Sequence, residues 1–159
     1  IRNNKNIKIL LNDKNFEIKE FLIEYGYGLN KFLNDSDYMV RAALAKNGYF
    51  LDKLINDENK YVRCCVAKNK YRLDLLINDI EWTVRSIVAE NHYRLDILIN
   101  DINPNVRCTV AKQGYGLNKL INDEDKNVVK FVNYWLEDHN ISIEDYSKNI
   151  EKYYNINII

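Results

Sequence analysis

The chain has little that breaks or staples a fold: one proline and five glycines in 159 residues leave small scope for long flexible linkers. Its three cysteines, Cys64, Cys65 and Cys108, are odd in number, two of them are adjacent, and they form no CxxC pair. That pattern fits reduced thiols in a cytoplasm-like compartment better than a disulfide frame or a metal centre. No charge of one sign prevails, since 23 Lys and Arg meet 23 Asp and Glu for a formal net charge of zero. The balance argues against a protein driven mainly by affinity for DNA and against an acidic DNA mimic, while leaving room for a local basic stripe. No apolar run of about 18 residues is present to span a membrane. The opening Ile1-Arg2-Asn3-Asn4-Lys5 lacks a signal-peptide pattern. Only two histidines occur, His92 and His139, and there is no GxSxG, HExxH, P-loop or dinucleotide fingerprint. The expectation is a cytoplasmic protein without catalytic residues, metal or cofactor.

What the chain has is a repeat. A phrase of the form Tyr-x-Leu-Asp/Asn-x-Leu-Ile-Asn-Asp recurs at Tyr27, Tyr49, Tyr71, Tyr93 and Tyr115, each 22 residues from the last. Between its copies runs a second phrase, Val62-Arg63-Cys64-Cys65-Val66-Ala67-Lys68-Asn69 in one unit. Periods of this size mark solenoids, in which each unit buries its apolar face only against its neighbours. Residues 5–26 read as a degenerate first unit, 27–128 as regular repeats and 129–159 as a helical C-terminal cap, together one repeat domain over 1–159. A domain of this length buries about 68–70% of its unfolded surface.

Each unit reads as two helical pieces. The longer runs from about Tyr61 to Lys68 and its equivalents, with Val62, Cys65 and Val66 at i, i+3, i+4 spacing. Asp37, Asn59, Asn103 and Asp125 stand where an N-cap belongs, Glu81 fills that slot once, and Pro104 occupies a first helical position. Asn47-Gly48 and Gln113-Gly114 supply left-handed C-terminal ends. The second piece, such as Leu73-Asp74-Leu75-Leu76-Ile77-Asn78, suits a 3₁₀ turn or a very short α-helix, with the Asp or Asn at its second position as cap. In the C-terminal cap, helix is expected through Phe131, Val132, Trp135 and Leu136. A further helix is expected from Ser142, with Ile143, Tyr146, Ile150 and Tyr153 closing the end of the core.

Three polar columns recur in step: Asp13/35/57/79/101/123, the asparagines preceding them, and Arg41/63/85/107 with Lys19 in the first unit. A catalytic site needs one specialised constellation, whereas these residues repeat. The Asp and Arg columns are read as a ladder of charge-assisted hydrogen bonds that fixes the turns, and the asparagines as satisfying backbone groups of those turns. The phrase Asp57-x-x-x-x-Val62-Arg63-x-x-Val66-Ala67-x-Asn69, followed by Leu73, Leu76 and Asp79, resembles the leucine-rich repeat variant family over most of residues 5–128. That resemblance implies an all-α, HEAT-like α-solenoid that alternates α-helices with short 3₁₀-helices in a right-handed superhelix. The period here is slightly shorter than the family's. A cysteine-rich iron–sulfur segment accompanies the repeats in one known family example. No such cluster occurs here, and the family implies no catalytic residues.

Function is therefore sought in columns that vary between units. One precedes the Val-Arg phrase and carries Tyr38, Tyr61 and Trp82, aromatic side chains of the kind that anchor interfaces, or that pack over adjacent turns. Another follows the Val-Ala pair, with Lys46, Lys68 and Lys112 broken by Glu90, and with Arg72 and Arg94 just beyond. Such cations either track a phosphate backbone or complement helix C-termini. The leading expectation is a non-catalytic scaffold that binds another protein. Nucleic-acid binding along the Lys/Arg stripe is the alternative. A HEAT-like DNA-repair glycosylase using Trp82, Asp79 and Arg85 is a remote third.

Overall fold

A computed structural model of the chain describes residues 2–154; Ile1 and residues 155–159 of the expected cap lie outside the described residues. Every regular element among the described residues is helical. The helices gather into two compact units, one ending at Arg72 and the other beginning at Leu73. The first holds α1 (Arg2–Leu10), α2 (Phe16–Glu24), α3 (Leu29–Phe32), α4 (Tyr38–Lys46), α5 (Leu51–Leu54) and α6 (Lys60–Lys68). The second holds α7 (Leu73–Leu76), α8 (Trp82–Glu90), α9 (Leu95–Leu98), α10 (Pro104–Lys112) and α11 (Leu117–Leu120), then α12 (Lys126–Asp138), α13 (Ile143–Lys148) and α14 (Ile150–Tyr154). The sequence period thus becomes a structural one: nine-residue helices alternate with four-residue helices from Phe16 to Lys112. The degenerate first repeat departs from this, because α1 fills nine residues where later repeats have four.

Packing follows the apolar columns. In the first unit α2 packs on α4 and α4 on α6; in the second α8 packs on α10 and α10 on α12. Val62, Val66 and Ala67 are fully buried, as are Val84, Val88 and Ala89, and Val106, Val110 and Ala111. Each buried Val contributes about 1.5–3 kcal/mol. The recurring Ala leaves the short Cα–Cβ stub at a helix contact where a longer chain has no room. Cys65 belongs to the expected face yet is only half-buried, so that face is rotated toward Ala67.

The long helices start as the caps dictate. Asp37, Asn59, Asn103 and Asp125 each accept a hydrogen bond from the backbone N–H two residues on, at Met39, Tyr61, Asn105 and Asn127. Glu81 makes no such bond, because its longer side chain overshoots the N–H that Asp or Asn reaches. The short helices begin differently from expectation. Asn30, Asp52, Asp96 and Asn118 lie inside them, and the capping positions are left-handed residues, Gly28, Phe50, Arg94 and Gly116, with no side-chain cap bond. A chain arriving in the left-handed region has already turned, so a side-chain cap is not what starts the helix. Bonds of both helical kinds close α5, from Lys53 N–H to the Phe50 carbonyl and from Leu54 N–H to that same carbonyl. That mixture is why the sequence suits a 3₁₀ turn and a short α-helix about equally.

The C-terminal elements close the second unit. α12 runs through Phe131, Val132, Trp135 and Leu136 as the apolar spacing requires. Ser142 caps α13 by accepting from the Asp145 N–H at 3.0 Å. The helix expected onward from Ser142 is divided at Asn149 into α13 and α14. Tyr146 is fully buried and donates its hydroxyl to the Gly114 carbonyl at 2.8 Å. Trp135 meets Tyr146 and Tyr153 edge-on, with centroids 5.8 and 6.1 Å away.

Candidate recognition surfaces

The repeated arginines and aspartates are consumed by the framework, whereas the asparagines that precede the aspartates lie exposed. Arg41 grips Asp57 through Nε (2.7 Å) and Nη2 (2.9 Å), and its Nη1 donates to the Asp35 carbonyl at 2.7 Å. Arg85 treats Asp101 and the Asp79 carbonyl in the same way, and Arg107 treats Asp123 and the Asp101 carbonyl so. Lys19 replaces the guanidinium in the first rung and reaches Asp35 at 2.6 Å. Each aspartate also accepts from the N–H two residues on, as Asp57 does from Asn59 at 2.9 Å. Arg41, Arg85 and Arg107 therefore each tie one turn to the next with all three guanidinium nitrogens engaged. Burial pushes the Asp57 carboxyl up, but the Arg41 hydrogen bond and charge outweigh it and hold the group below its ordinary value. The hydrogen bond from Arg107 lowers Asp123 likewise.

A second ladder runs at the C-terminal ends of the long helices. Asn69 Nδ2 donates to the Cys65 carbonyl of its own helix (2.9 Å) and to the Ala45 carbonyl of the preceding one (2.8 Å). Asn47 and Asn91 bond the carbonyls of Ala43 and Ile87 at 2.8 Å. The asparagine thus satisfies orphan carbonyls at the ends of α4, α6 and α8.

The varying aromatic column stands outside these ladders. In the first unit Tyr38 and Tyr61 stack with centroids 5.8 Å apart, while remaining 38% and 57% exposed. Met39 beside them is exposed too. Trp82, the first residue of α8 in the second unit, is 38% exposed. Another exposed aromatic pair lies at the end of α2, where Phe21 and the C-cap residue Tyr25 have ring centroids 4.6 Å apart.

The cations are placed less uniformly than a stripe requires. Lys46 lies 3.9 Å from Glu20, and Lys112 sits over the Phe131 ring at 4.2 Å. Arg94 holds Asp96 through two hydrogen bonds of 3.0 Å. Arg72 and Lys68 are exposed, and Arg72, like Arg94, has left-handed backbone. Lys46, Lys68 and Lys112 occupy the last turns of their helices, where a cation favours the helix dipole.

The histidines have structural surroundings. His139 stacks on Trp135 at 3.8 Å, with Nδ1 2.8 Å from the Trp135 carbonyl. His92 is exposed in a turn with a φ of 56°. Of the trio considered for a glycosylase, Arg85 is engaged with Asp101 and with the carbonyl of Asp79. Burial raises the thiols of Cys65 and Cys108 above their ordinary value, which favours the uncharged form of a small packing residue. Among the described residues no group of three or more His, Cys, Asp or Glu is placed to hold a metal ion. No helix among them is long and apolar enough to cross a membrane.

Sequence reasoning missed one feature. Ile80 and Ile102 are 89% and 90% exposed, and Leu75 and Ile97 are exposed as well. Their columns hold Ser36, Glu58 and Glu124, or Lys31, Lys53 and Lys119, in other units. The rule that recognition lies in varying columns applies to them as much as to the aromatics. They escape it because isolated aliphatic residues in a repeat pass for core. No protein-family model matches the chain, and no curated protein matches it.

Proposed function

We propose that the protein is a non-catalytic repeat scaffold that binds another protein. In this reading the helices form a HEAT-like α-solenoid with a right-handed superhelix, as the resemblance to leucine-rich repeat variant proteins implies, working in the cytoplasm. The observation that carries it is the exposed Tyr38–Tyr61 stack. Two aromatic rings held against each other on successive repeats lose little conformational freedom on binding, which is what an interface anchor needs. The side chains with specialised chemistry, Arg and Asp, are meanwhile spent within the ladder, which supports a surface that binds rather than reacts.

The test is capture from the source cell with a photoreactive residue at position 39, beside the pair. A protein crosslinked by the parent and lost on Tyr38→Ala/Tyr61→Ala is the expected result. Titration with single-stranded and duplex nucleic acid at several salt concentrations tests the alternative. A steep salt slope that vanishes on replacing Lys46, Lys68 and Lys112 would sink the protein-binding reading. The internal partners of Arg94 and Lys112 weigh against that outcome.

A further inference from the structure

In the first unit the ladder borders an open groove of about 600 Å³, lined by Ser36, Arg41, Lys53, Asp57 and Glu58 among others. Its lining mixes Leu33 and Leu54 with polar side chains of both charges. Two repeats on, the same columns hold Ile80, Arg85, Ile97, Asp101 and Ile102. The supporting geometry is the same: Arg85 grips Asp101 at 2.6 Å and donates to the Asp79 and Ile80 carbonyls at 2.7 and 3.2 Å. Arg41 does this with Asp57 and with the Asp35 and Ser36 carbonyls. The framework is conserved between the two units while three groove-lining positions change from Ser, Lys and Glu to Ile. Ile80 and Ile102 stand in water at nearly full exposure and Ile97 at partial exposure, apolar surface that a partner would bury.

The charge around these positions selects the partner. Residues 73–159 carry 9 Lys and Arg against 14 Asp and Glu, a net −5, whereas residues 1–72 carry 14 against 9. Asp74, Glu81, Asp96 and Glu124 lie in the turns and short helices next to the isoleucine columns. Arg94 pairs with Asp96 and Arg107 with Glu124, yet residues 73–125 still carry nine acidic against five basic side chains. Lys53, which lines the groove in the first unit, has become Ile97, and Lys31 of the same column has become Leu75. Pairing this face with itself in a symmetric dimer brings two net-negative units together, which disfavours a second copy docked patch to patch. A segment with basic residues meets attraction at the same place.

Resting on the protein-binding reading, we infer that Ile80, Ile97 and Ile102 form a docking slot for a polypeptide segment that presents branched aliphatic side chains among lysines or arginines. The acidic surroundings set orientation and encounter rate, and the isoleucines supply the buried contact.

The test uses the full chain and short fluorescein-labelled peptides that alternate Leu with Lys, Leu with Glu, or Ser with Lys, read by anisotropy. The Leu/Lys peptide is expected to bind, and the other two to bind at least about tenfold more weakly, a difference of about 1.4 kcal/mol. Ile80→Ser/Ile97→Lys/Ile102→Glu installs the residues that the first unit already carries in these columns. It is expected to lose about tenfold in affinity while melting like the parent. Ile102→Glu alone, at a 90% exposed position, provides a milder variant with the same direction of effect. Tyr38→Ala/Tyr61→Ala is expected to keep the peptide. Absence of binding, equal binding of Leu/Lys and Ser/Lys peptides, or full affinity in both isoleucine variants overturns the slot. So does a parent dimer that the isoleucine variants turn into monomer by sedimentation. Those results leave crosslinking beside Tyr38 and Tyr61 untouched, so the slot and the broader reading fail separately.

Discussion

Arg41 and Asp57 meet side-on through two hydrogen bonds of 2.7 and 2.9 Å, with side chains only 10% and 7% exposed. The remaining guanidinium nitrogen reaches back to the Asp35 carbonyl at 2.7 Å. One side chain therefore joins two turns that lie 22 residues apart in sequence, and it does so with planar geometry that an ammonium lacks. Arg41→Ala strands the Asp57 carboxylate and should cost about 3–5 kcal/mol in chemical denaturation. Arg41→Lys should recover part of this, since Lys19 makes the single-point version of the bond to Asp35. Equal stability of parent and Arg41→Ala would show that the rung contributes nothing.

Acid should weaken the same ladder. Asp35, Asp57 and Asp123 all titrate below the ordinary 3.8 in the folded chain, with Lys19, Arg41 and Arg107 outweighing or joining the other influences. A carboxylate lowered on folding contributes stability that is complete above its unfolded value and is lost as pH falls through its folded value. In that window the unfolded chain binds more protons than the folded one. Melting temperature from these groups should therefore hold steady above about pH 5 and fall below about pH 4. Asp57→Asn should melt lower at neutral pH and show a shallower decline in acid. An unchanged slope would remove Asp57 from the acid response.

Glu81 is the weak start among the long helices from α2 to α12. Asp37, Asn59, Asn103 and Asp125 cap their helices through the side chain, and Glu81 does not. Glu81→Asp shortens the side chain to the length used at Asp37 and should stabilise the protein by about 0.5–1 kcal/mol. Differential scanning calorimetry reads this as a higher melting temperature. A lower one would mean that the carboxylate of Glu81 is better placed as it is.

How much of this was legible follows from what repetition exposes. Caps at Asp37, Asn59 and Ser142, the helix start at Pro104 and the Asp–Arg pairing were readable, because local chemistry repeated in phase leaves few alternatives. The left-handed entries at Phe50 and Arg94 were not, since neither residue type favours positive φ and only the surrounding turn imposes it. Tyr38 and Tyr61 were readable as variable aromatics, yet whether their rings lie buried or in water depends on packing between helices, which spacing does not encode. Ile80 and Ile102 were hidden for the opposite reason: an aliphatic residue reads as core until its surroundings are seen.

Gly48 and Gly114 occupy one column with φ values of 80° and 71°, a region that costs other residues roughly 1–2 kcal/mol. Their neighbours differ. A Cβ at position 48 would lie 3.7 Å from Asn69 Oδ1, an ordinary contact, whereas one at 114 would lie 2.6 Å from the Trp135 ring. That ring is held edge-on to Tyr146, whose hydroxyl bonds the Gly114 carbonyl, so neither side yields without loosening the C-terminal closure. Gly48→Ala should therefore lose only the backbone cost, with Lys70 and His92 already tolerating the same conformation. Gly114→Ala should lose that and a further 1–3 kcal/mol, roughly, of overpacking. Equilibrium unfolding of the two variants side by side measures the difference. A Gly114→Ala loss no greater than that of Gly48→Ala would mean that Trp135 is free to move aside and does not lock the end of the second unit.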